Sequence, residues 1–109
     1  TIADGQAVVV VGDFNMLPDS AQFQHVTRGA HDQPSPIVLT DALAAAEKGH
    51  RGPHSTFHGF GEKLIPNRRI DYIFVGPGVR VIEHEILPDR YNGRPPSDHV
   101  PVIAEIVIE

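Results

Sequence analysis

The sequence predicts one small domain of mixed α and β structure, with its elements in the order β, α, α, β, β, β. A continuous apolar run at residues 7–11 is typical of a strand. An alanine-rich segment at residues 41–48 favours a helix. Three further apolar segments, separated by turn-forming residues, indicate strands at residues 69–75, 79–87 and 100–108.

The first predicted strand is followed closely by the first predicted helix. Residues 7–11 are all apolar, which indicates a strand buried on both faces. Ser20 is a good candidate for a helix cap, because a serine side chain can bind the free amides of a first helical turn. We expect the helix over residues 20–26, ended by Gly29.

The second predicted helix precedes a long loop. Thr40 or Asp41 caps it, and the helix runs over residues 41–48 to the glycine that follows. Glycine, proline and histidine dominate residues 49–67, which predicts a mobile loop with one brief strand at residues 55–58.

Composition narrows the possible functions. The chain has 109 residues, of which 40% are hydrophobic and 21% charged, as is ordinary for a folded domain. A net charge of −5 argues against a broad basic surface for nucleic acid. The chain has no cysteine, which excludes thiolate metal sites, and no apolar run near the roughly 20 residues that span a membrane. The loop cations are either ordinary surface charges or a local phosphate-binding rim: Arg51, Lys63, Arg68, Arg69, Arg90 and Arg94.

Three short motifs place polar side chains at the ends of predicted strands. Together they supply three carboxylates, one carboxamide and one imidazole. That combination suits metal-assisted attack of water on a phosphate ester. The motifs are Gly12-Asp13-Phe14-Asn15, Arg69-Ile70-Asp71-Tyr72-Ile73-Phe74 and Ser97-Asp98-His99-Val100-Pro101-Val102.

The first motif predicts a shared reaction centre. Asp13 and Asn15 alternate with Phe14, so both polar side chains point into one space while Phe14 packs beneath them. The aspartate can hold and deprotonate water, and the asparagine can donate a hydrogen bond to a phosphoryl oxygen. The alternative is a plain turn, since Asp and Asn are common turn residues.

The second and third motifs predict a carboxylate–imidazole pair. Strand alternation places Asp71 on the face of Ile73 and Val75, where an ionised carboxylate needs a partner. His99 is the natural partner, and the carboxylate would raise its pKa and turn its far nitrogen toward a substrate. Asp98 is expected to assist a metal or to position water. The alternatives are a structural salt bridge and a polar loop before an edge strand.

In this order the three motifs resemble the endonuclease/exonuclease/phosphatase superfamily. This metal-dependent group includes deoxyribonucleases, abasic-site endonucleases, inositol-polyphosphate phosphatases, sphingomyelinases and deadenylases. The segment Ser55-Thr56-Phe57-His58-Gly59-Phe60 is similar to bacterial deadenylase-like members. The resemblance implies that residues 1–109 are the C-terminal half of a four-layer α/β/β/α sandwich with a mixed, largely antiparallel sheet.

The resemblance also implies a role for each polar residue. Asp13 would activate the attacking water, and Asn15 would bind the scissile phosphate. His99 would contact the phosphate and Asp71 would orient His99. Asp98 would lie near a Mg²⁺ or Mn²⁺ ion or near the nucleophile. The residues expected to bind substrate are Asn15, His99 and Arg69.

In the family, the main magnesium-binding glutamate belongs to an N-terminal half that has no counterpart in these residues. We therefore expect the chain to be a fragment or a processed piece with feeble activity, or none, by itself. The apolar inner faces at residues 8–11, 70–75 and 103–108 should be exposed, or covered by the other half or a second copy.

The leading hypothesis is a Mg²⁺-dependent phosphoesterase acting on nucleic acid, a small phosphodiester or phosphomonoester, or a phospholipid head group. The alternative is a catalytically incomplete half-domain that acts as an interaction module. A serine hydrolase is excluded, because the sequence lacks a Gly-x-Ser-x-Gly elbow. Four other histidines are expected on loops or surfaces: His25, His31, His50 and His84.

Overall fold

The computed structural model describes residues 6–28, 38–88 and 96–109. Within these ranges the chain has the predicted mixture of helix and strand, and none of its helices is long and apolar enough to cross a membrane. The elements are β1 (Val9–Asp13), α1 (Ala21–Arg28), β2 (Thr40–Asp41), α2 (Ala42–Ala45), β3 (His50–Arg51), β4 (Asp71–Val75), β5 (Val79–Ile86) and β6 (Val102–Ile108).

The strands form two three-stranded sheets. The first has the order β1-β4-β2 and the second the order β3-β5-β6. Among these strands the β3–β5 pair is parallel and the other three pairs are antiparallel. The expected mixed, largely antiparallel arrangement is therefore confirmed, although the strands divide between two sheets.

Strand β4 separates two apolar clusters. Alternation along the strand sends Tyr72 and Phe74 to one face and Val75 to the other. On the first face the ring of Phe14 lies 5.3 Å from that of Phe74, and the ring of Phe23 lies 5.6 Å from that of Tyr72. On the second face Val75 packs with α2 and with the apolar side of β5 and β6. Strand β4 is thus packed against apolar side chains on both of its faces.

Helix α1 begins as the sequence predicts. The Ser20 hydroxyl accepts a hydrogen bond from the Phe23 amide at 3.2 Å, which satisfies one of the free donors of the first turn. The helix spans Ala21–Arg28, two residues beyond the predicted end. The predicted stop at Gly29 lies outside the described residues.

The predicted helix at residues 41–48 is too long. Asp41 does cap it, because its carboxylate accepts from the Leu43 amide at 3.2 Å, but the helix ends at Ala45. The next amides bind elsewhere: Glu47 donates to the carbonyl of Val81 at 3.0 Å and Lys48 to that of Ile82 at 2.9 Å. Hydrogen bonds to β5 thus override the local preference for helix.

The prediction that β1 is buried on both faces is wrong for this chain. Val10 packs on the Tyr72 face, whereas Val9 is 40% exposed and Val11 63% exposed. The reason is that the first apolar cluster packs on the Val10 face of β1 only, so the Val9 and Val11 face is exposed, as expected for an inner face at residues 8–11. On β6, Ile103 and Ile108 are also exposed, as expected for that segment.

Two expectations for the middle of the chain are corrected. Exposure was expected along residues 70–75, but Ile70 and Val75 are buried, and Val75 belongs to the second apolar cluster. Residues 55–58 form one isolated β-bridge, between Phe57 and His99, instead of a strand. Hydrogen bonds attach this segment to neighbouring backbone, as described below.

Candidate active site

The pairing of β1 with β4 brings two carboxylates together. Asp13 is the last residue of β1 and Asp71 the first of β4, and the antiparallel register places them directly opposite each other. Side chains of directly opposed residues point to the same face of a sheet. Asp13 and Asp71 therefore share the space beyond this end of the sheet.

The turn after β1 organises the first motif. The backbone amide of Asn15 donates a hydrogen bond to Asp13 Oδ1 at 2.8 Å. Asn15 has a φ of 49°, a left-handed conformation that asparagine tolerates well. Phe14 packs against Tyr72 and Phe74, as the alternation predicts. Asp13 and Asn15 are both exposed after this turn. The convergence of their side chains on one space stays a prediction.

Asp71 and His99 form the predicted pair. Asp71 Oδ2 lies 2.7 Å from His99 Nδ1, a short hydrogen-bond distance. The Asp71 side chain is 19% exposed and that of His99 is 26% exposed. The ring of Phe57 meets the His99 ring edge-on, with centroids 5.1 Å apart. The imidazole is thus held at one nitrogen and supported at its face.

The other nitrogen of His99 faces two further carboxylates. Nε2 lies 3.7 Å from Asp13 Oδ2 and 3.8 Å from Asp98 Oδ1. These distances exceed a direct hydrogen bond. The hydrogen bond that His99 Nδ1 donates to the Asp71 carboxylate raises the pKa of His99. The negative charges of Asp71, Asp13 and Asp98 raise this pKa further, whereas burial opposes the shift. The site therefore favours the imidazolium form.

The same side chains form a candidate metal centre. One oxygen of Asp13, one oxygen of Asp71 and one ring nitrogen of His99 lie within 4.8 Å of one another. Asp98, the residue predicted to lie near the metal, is outside this group, although its carboxylate also faces His99 Nε2. Carboxylate oxygens are the ligands that Mg²⁺ and Mn²⁺ prefer. Since Asp71 binds His99, the oxygen donors left facing Nε2 are Asp13 and Asp98.

Arg69 is held in a buried ion pair. Its side chain is 7% exposed, its guanidinium binds the Asp41 carboxylate, and it lies 4.7 Å from the ring centre of Tyr72. Arg69 also lines an open cavity of about 400 Å³. The predicted substrate contact of Arg69 stays a prediction, and its buried ion pair favours a structural role. The other cavity-lining residues are Leu17, Pro18, His54 and Asn67.

The hydroxyl of Tyr72 lies between the backbone that follows β1 and the backbone that precedes β4. It lies 2.8 Å from the Met16 carbonyl and 2.9 Å from the Arg69 carbonyl. Burial raises the pKa of Tyr72 to about 12, so the hydroxyl keeps its proton and donates. The segment after Asn15 and the segment before Asp71 are thereby fixed to each other.

Two further findings concern residues near the site: the positions of His50 and His84, and the partners of Arg51. His84 is buried, with 1% exposure, and its Nδ1 lies 2.8 Å from that of His50, so these residues do not belong to a loop surface. Arg51 bonds Glu83 and Glu85, which gives its charge a local partner. The rim candidates Arg90 and Arg94 lie outside the described residues.

Sequence reasoning missed two residues that support the site. Asp41 was assigned only a helix cap, yet it is also the buried partner of Arg69. Thr56 was assigned no role, yet it is fully buried and its hydroxyl bonds the backbone beside Asp71. The partners of Asp41 and Thr56 lie 28 and 15 residues away along the chain, beyond the reach of any local pattern.

Comparison with known proteins assigns this chain to a family. The family model for the endonuclease/exonuclease/phosphatase family matches residues 1–99. Among solved structures, an endonuclease/exonuclease/phosphatase from Bacteroides vulgatus is 32% identical, with a TM-score of 0.78 over 96% of this chain. A conserved protein of unknown function from Enterococcus faecalis V583 is 31% identical, with a TM-score of 0.73 over 94% of this chain. No curated protein matches the chain.

A third similar structure has a named activity. It is a mannosyl-6-phosphatase from Bacteroides thetaiotaomicron VPI-5482, 26% identical, with a TM-score of 0.76 over 96% of this chain. The chain spans 38%, 37% and 39% of the lengths of the three structures, in the order given. The expected mixed α and β fold of this family is therefore confirmed. By its sequence and its fold, this chain belongs to the endonuclease/exonuclease/phosphatase family.

Proposed function

We propose that the intact protein hydrolyses a phosphate ester with the help of a divalent metal, and that this chain supplies the C-terminal half of the active site. The observation that carries the proposal is the 2.7 Å bond between Asp71 and His99, formed where Asp13 stands opposite Asp71. A purely structural salt bridge would not need a second and a third carboxylate, Asp13 and Asp98, around the same imidazole.

The residues of the chain divide the chemistry among them. Asp13 accepts a proton from the attacking water, because its carboxylate is exposed and lies 3.7 Å from His99 Nε2, the proposed phosphate donor. Asn15 donates from its carboxamide to a phosphoryl oxygen. His99, protonated at Nε2, donates to an oxygen of the phosphate, while Asp71 holds Nδ1 and keeps the ring charged. The proton on Nε2 can thus be shared with the phosphate oxygen on which negative charge develops in the transition state.

Asp98 and Asp13 are the residues that would hold a Mg²⁺ or Mn²⁺ ion. When bound, such an ion supplies positive charge for the phosphate oxygens. The donors fit this ion class, because Mg²⁺ is commonly held by one or two carboxylates together with waters and substrate oxygens. Two carboxylates also leave coordination positions for a ligand from another part of the protein.

The remaining part of the site is proposed to come from an upstream half of the same domain. The similar structures are more than twice as long as this chain. The exposed face of Val9 and Val11 adjoins Asp13 on β1, so a covering half would also border the reaction centre. We expect the 109-residue chain alone to be weakly active or inactive.

The substrate class follows from charge and from the neighbours. A net charge of −5 favours a small phosphodiester, a phosphomonoester or a phospholipid head group over a long nucleic acid duplex. A sugar phosphate joins the substrates to be tested, because one similar structure is a mannosyl-6-phosphatase.

The test compares the intact gene product with this chain on aryl phosphate mono- and diesters, a sugar phosphate and single-stranded nucleic acid. We expect hydrolysis by the intact protein with Mg²⁺ or Mn²⁺, its loss with a chelator, and a large fall in kcat in His99→Ala. His25→Ala on α1 is the matched control. Unchanged turnover in His99→Ala would refute the assignment, and no hydrolysis of any substrate would favour the interaction module.

A further inference from the structure

Thr56 sits between the two motifs that form the carboxylate–imidazole pair. It is fully buried. Its hydroxyl oxygen accepts from the amide of Ile70 at 3.1 Å and from the amide of Asp71 at 3.3 Å. The same hydroxyl donates to the carbonyl of Arg68 at 3.3 Å. A threonine hydroxyl has one proton and two lone pairs, so this arrangement uses its full bonding capacity.

The backbone of the same residue reaches the other motif. The Thr56 carbonyl accepts from the Val100 amide at 2.9 Å, and its amide donates to the Arg68 carbonyl at 3.1 Å. The next residue, Phe57, forms the β-bridge with His99 and packs its ring on the imidazole. One short segment therefore bonds the start of β4 on one side and the backbone around His99 on the other.

This connection matters because Asp71 and His99 are 28 residues apart in the chain. Their 2.7 Å bond requires the start of β4 and the segment before β6 to keep a fixed separation. We propose that Thr56 is a positioning residue for the hydrolysis, whose hydroxyl fixes the Asp71 backbone so that the carboxylate meets His99 Nδ1. This inference rests on the function proposed above.

The proposal assigns the effect to the hydroxyl and not to the bulk of the side chain. Valine has nearly the shape of threonine but no hydroxyl, so Thr56→Val leaves the amides of Ile70 and Asp71 without this acceptor. Thr56→Ser keeps the acceptor and loses only a methyl group. Thr56→Cys keeps a weak acceptor of similar size. Across the three variants the strength of the hydrogen-bond acceptor at position 56 changes, while the volume of the side chain stays nearly constant.

The kinetic test uses the intact gene product and an aryl phosphate ester that it hydrolyses. Thr56→Val should lower kcat at least about tenfold with little change in KM, since a small misplacement of an orienting group costs rate more than binding. Thr56→Ser should restore most of kcat, and Thr56→Cys should fall between the two. The matched control is Thr27→Val on α1, which removes a hydroxyl bonded to the Phe23 carbonyl and should leave kcat unchanged.

A second measurement does not depend on activity. The NMR signal of the His99 Nδ1 proton reports the bond to Asp71, and it should weaken or move upfield in Thr56→Val but not in Thr56→Ser or Thr27→Val. An unchanged signal with normal kcat in folded Thr56→Val would overturn the proposal. If Thr56→Val does not fold, wild-type kcat and an unchanged signal in Thr56→Cys would overturn it instead.

The two proposals fail in different ways. Full activity in His99→Ala would refute the proposed hydrolytic role of the pair, whatever the Thr56 variants do. The Nδ1 proton signal would still test whether Thr56 positions Asp71 against His99. Conversely, loss of activity in His99→Ala together with wild-type kcat in folded Thr56→Val would refute only the role of Thr56.

Discussion

Asp71 Oδ2 lies 2.7 Å from His99 Nδ1, and the opposite nitrogen of the same ring faces Asp13 at 3.7 Å. The imidazole therefore has one nitrogen held by a partly buried carboxylate and one directed toward an exposed carboxylate. This asymmetry gives the ring a fixed orientation and favours its positive charge, which are the two properties that a phosphate-binding histidine needs.

The first prediction concerns the pH dependence of Asp71→Asn. Asp71 raises the pKa of His99, so the imidazolium persists at pH values above the ordinary pKa of histidine. Activity that needs the imidazolium should therefore decline on the alkaline side of the pH profile. Removing the carboxylate charge should lower the pKa of His99. We expect kcat to fall and the alkaline limb of the pH profile to move to lower pH.

The control for this prediction is Glu105→Gln, which removes an exposed carboxylate on β6. Its pH profile should match that of the wild type. An alkaline limb that stays in place in Asp71→Asn would mean that His99 does not act in its protonated form.

The second prediction separates a structural role of Arg69 from a substrate contact. Arg69→Met leaves the buried Asp41 carboxylate unpaired, which should lower the free energy of unfolding by about 3–5 kcal/mol. In the double variant with Asp41→Asn the loss should be smaller than the sum of the single losses, because no charge then remains buried alone. Urea unfolding measures both effects.

Arg51→Met is the matched control, because Arg51 bonds Glu83 and Glu85 at the surface with 61% of its side chain exposed. That loss should stay below about 1 kcal/mol. A large rise in KM for Arg69→Met with nearly normal stability would instead support the substrate contact that the sequence predicts.

The third prediction is an acid sensitivity that originates at His84. Burial, with the neighbouring His50 and Arg69 adding to it, lowers the pKa of His84 to about 4, against the ordinary value of 6.5. Asp41 opposes this shift, and His54 adds to it. Between these pH values the unfolded chain binds the proton more strongly, so stability is complete above about pH 6.5 and falls as the pH drops toward 4.

A pKa shift of this size corresponds to a loss of roughly 3 kcal/mol in the free energy of unfolding as the pH falls from about 6.5 to about 4. The measurement is the free energy of urea unfolding at several pH values for wild type and His84→Gln. The advantage of the wild type over the variant should shrink as the pH falls. His25→Gln, on the surface of α1, should keep the wild-type slope. Parallel pH slopes for wild type and His84→Gln would contradict the prediction.

The sequence predicts the long C-terminal strands well because their signal is local, but it misses the two-residue strands β2 and β3. The apolar segments at residues 69–75, 79–87 and 100–108 correspond to β4, β5 and β6, whose first and last residues differ from the predictions by two positions at most. The helix at residues 41–48 fails beyond Ala45, because the amides of Glu47 and Lys48 bond carbonyls of β5 that no local pattern reveals.

For the candidate site too, the features with a local sequence signal could be predicted, and those that depend on long-range contacts could not. Asp13, Asp71 and His99 each stand beside an apolar strand, so the motifs could be found in the sequence and the structure brings the three side chains together. Their catalytic roles stay predictions. The contribution of Thr56 and the burial of His84 were missed, since each depends on contacts with segments distant in the chain.

The fourth prediction concerns Gly52, which follows β3 with a φ of 93°. A Cβ atom there would lie 2.1 Å from the Ile86 carbonyl oxygen, so Gly52→Ala must push the chain away from β5. The Gly52 carbonyl also lies 3.1 Å from His50 Nε2. We expect Gly52→Ala to lower the free energy of unfolding by at least about 3 kcal/mol, through steric clash added to backbone strain.

Gly78 provides the matched control. Its φ of 81° is also left-handed, but a Cβ atom there would meet nothing within 4 Å. Gly78→Ala should therefore cost only the backbone strain, on the order of 1 kcal/mol. The difference between the two variants in urea unfolding isolates the close approach of Gly52 to Ile86. Equal losses would mean that residues 50–52 can move off β5 freely, and that the contact between His50 and His84 is not fixed by the backbone around them.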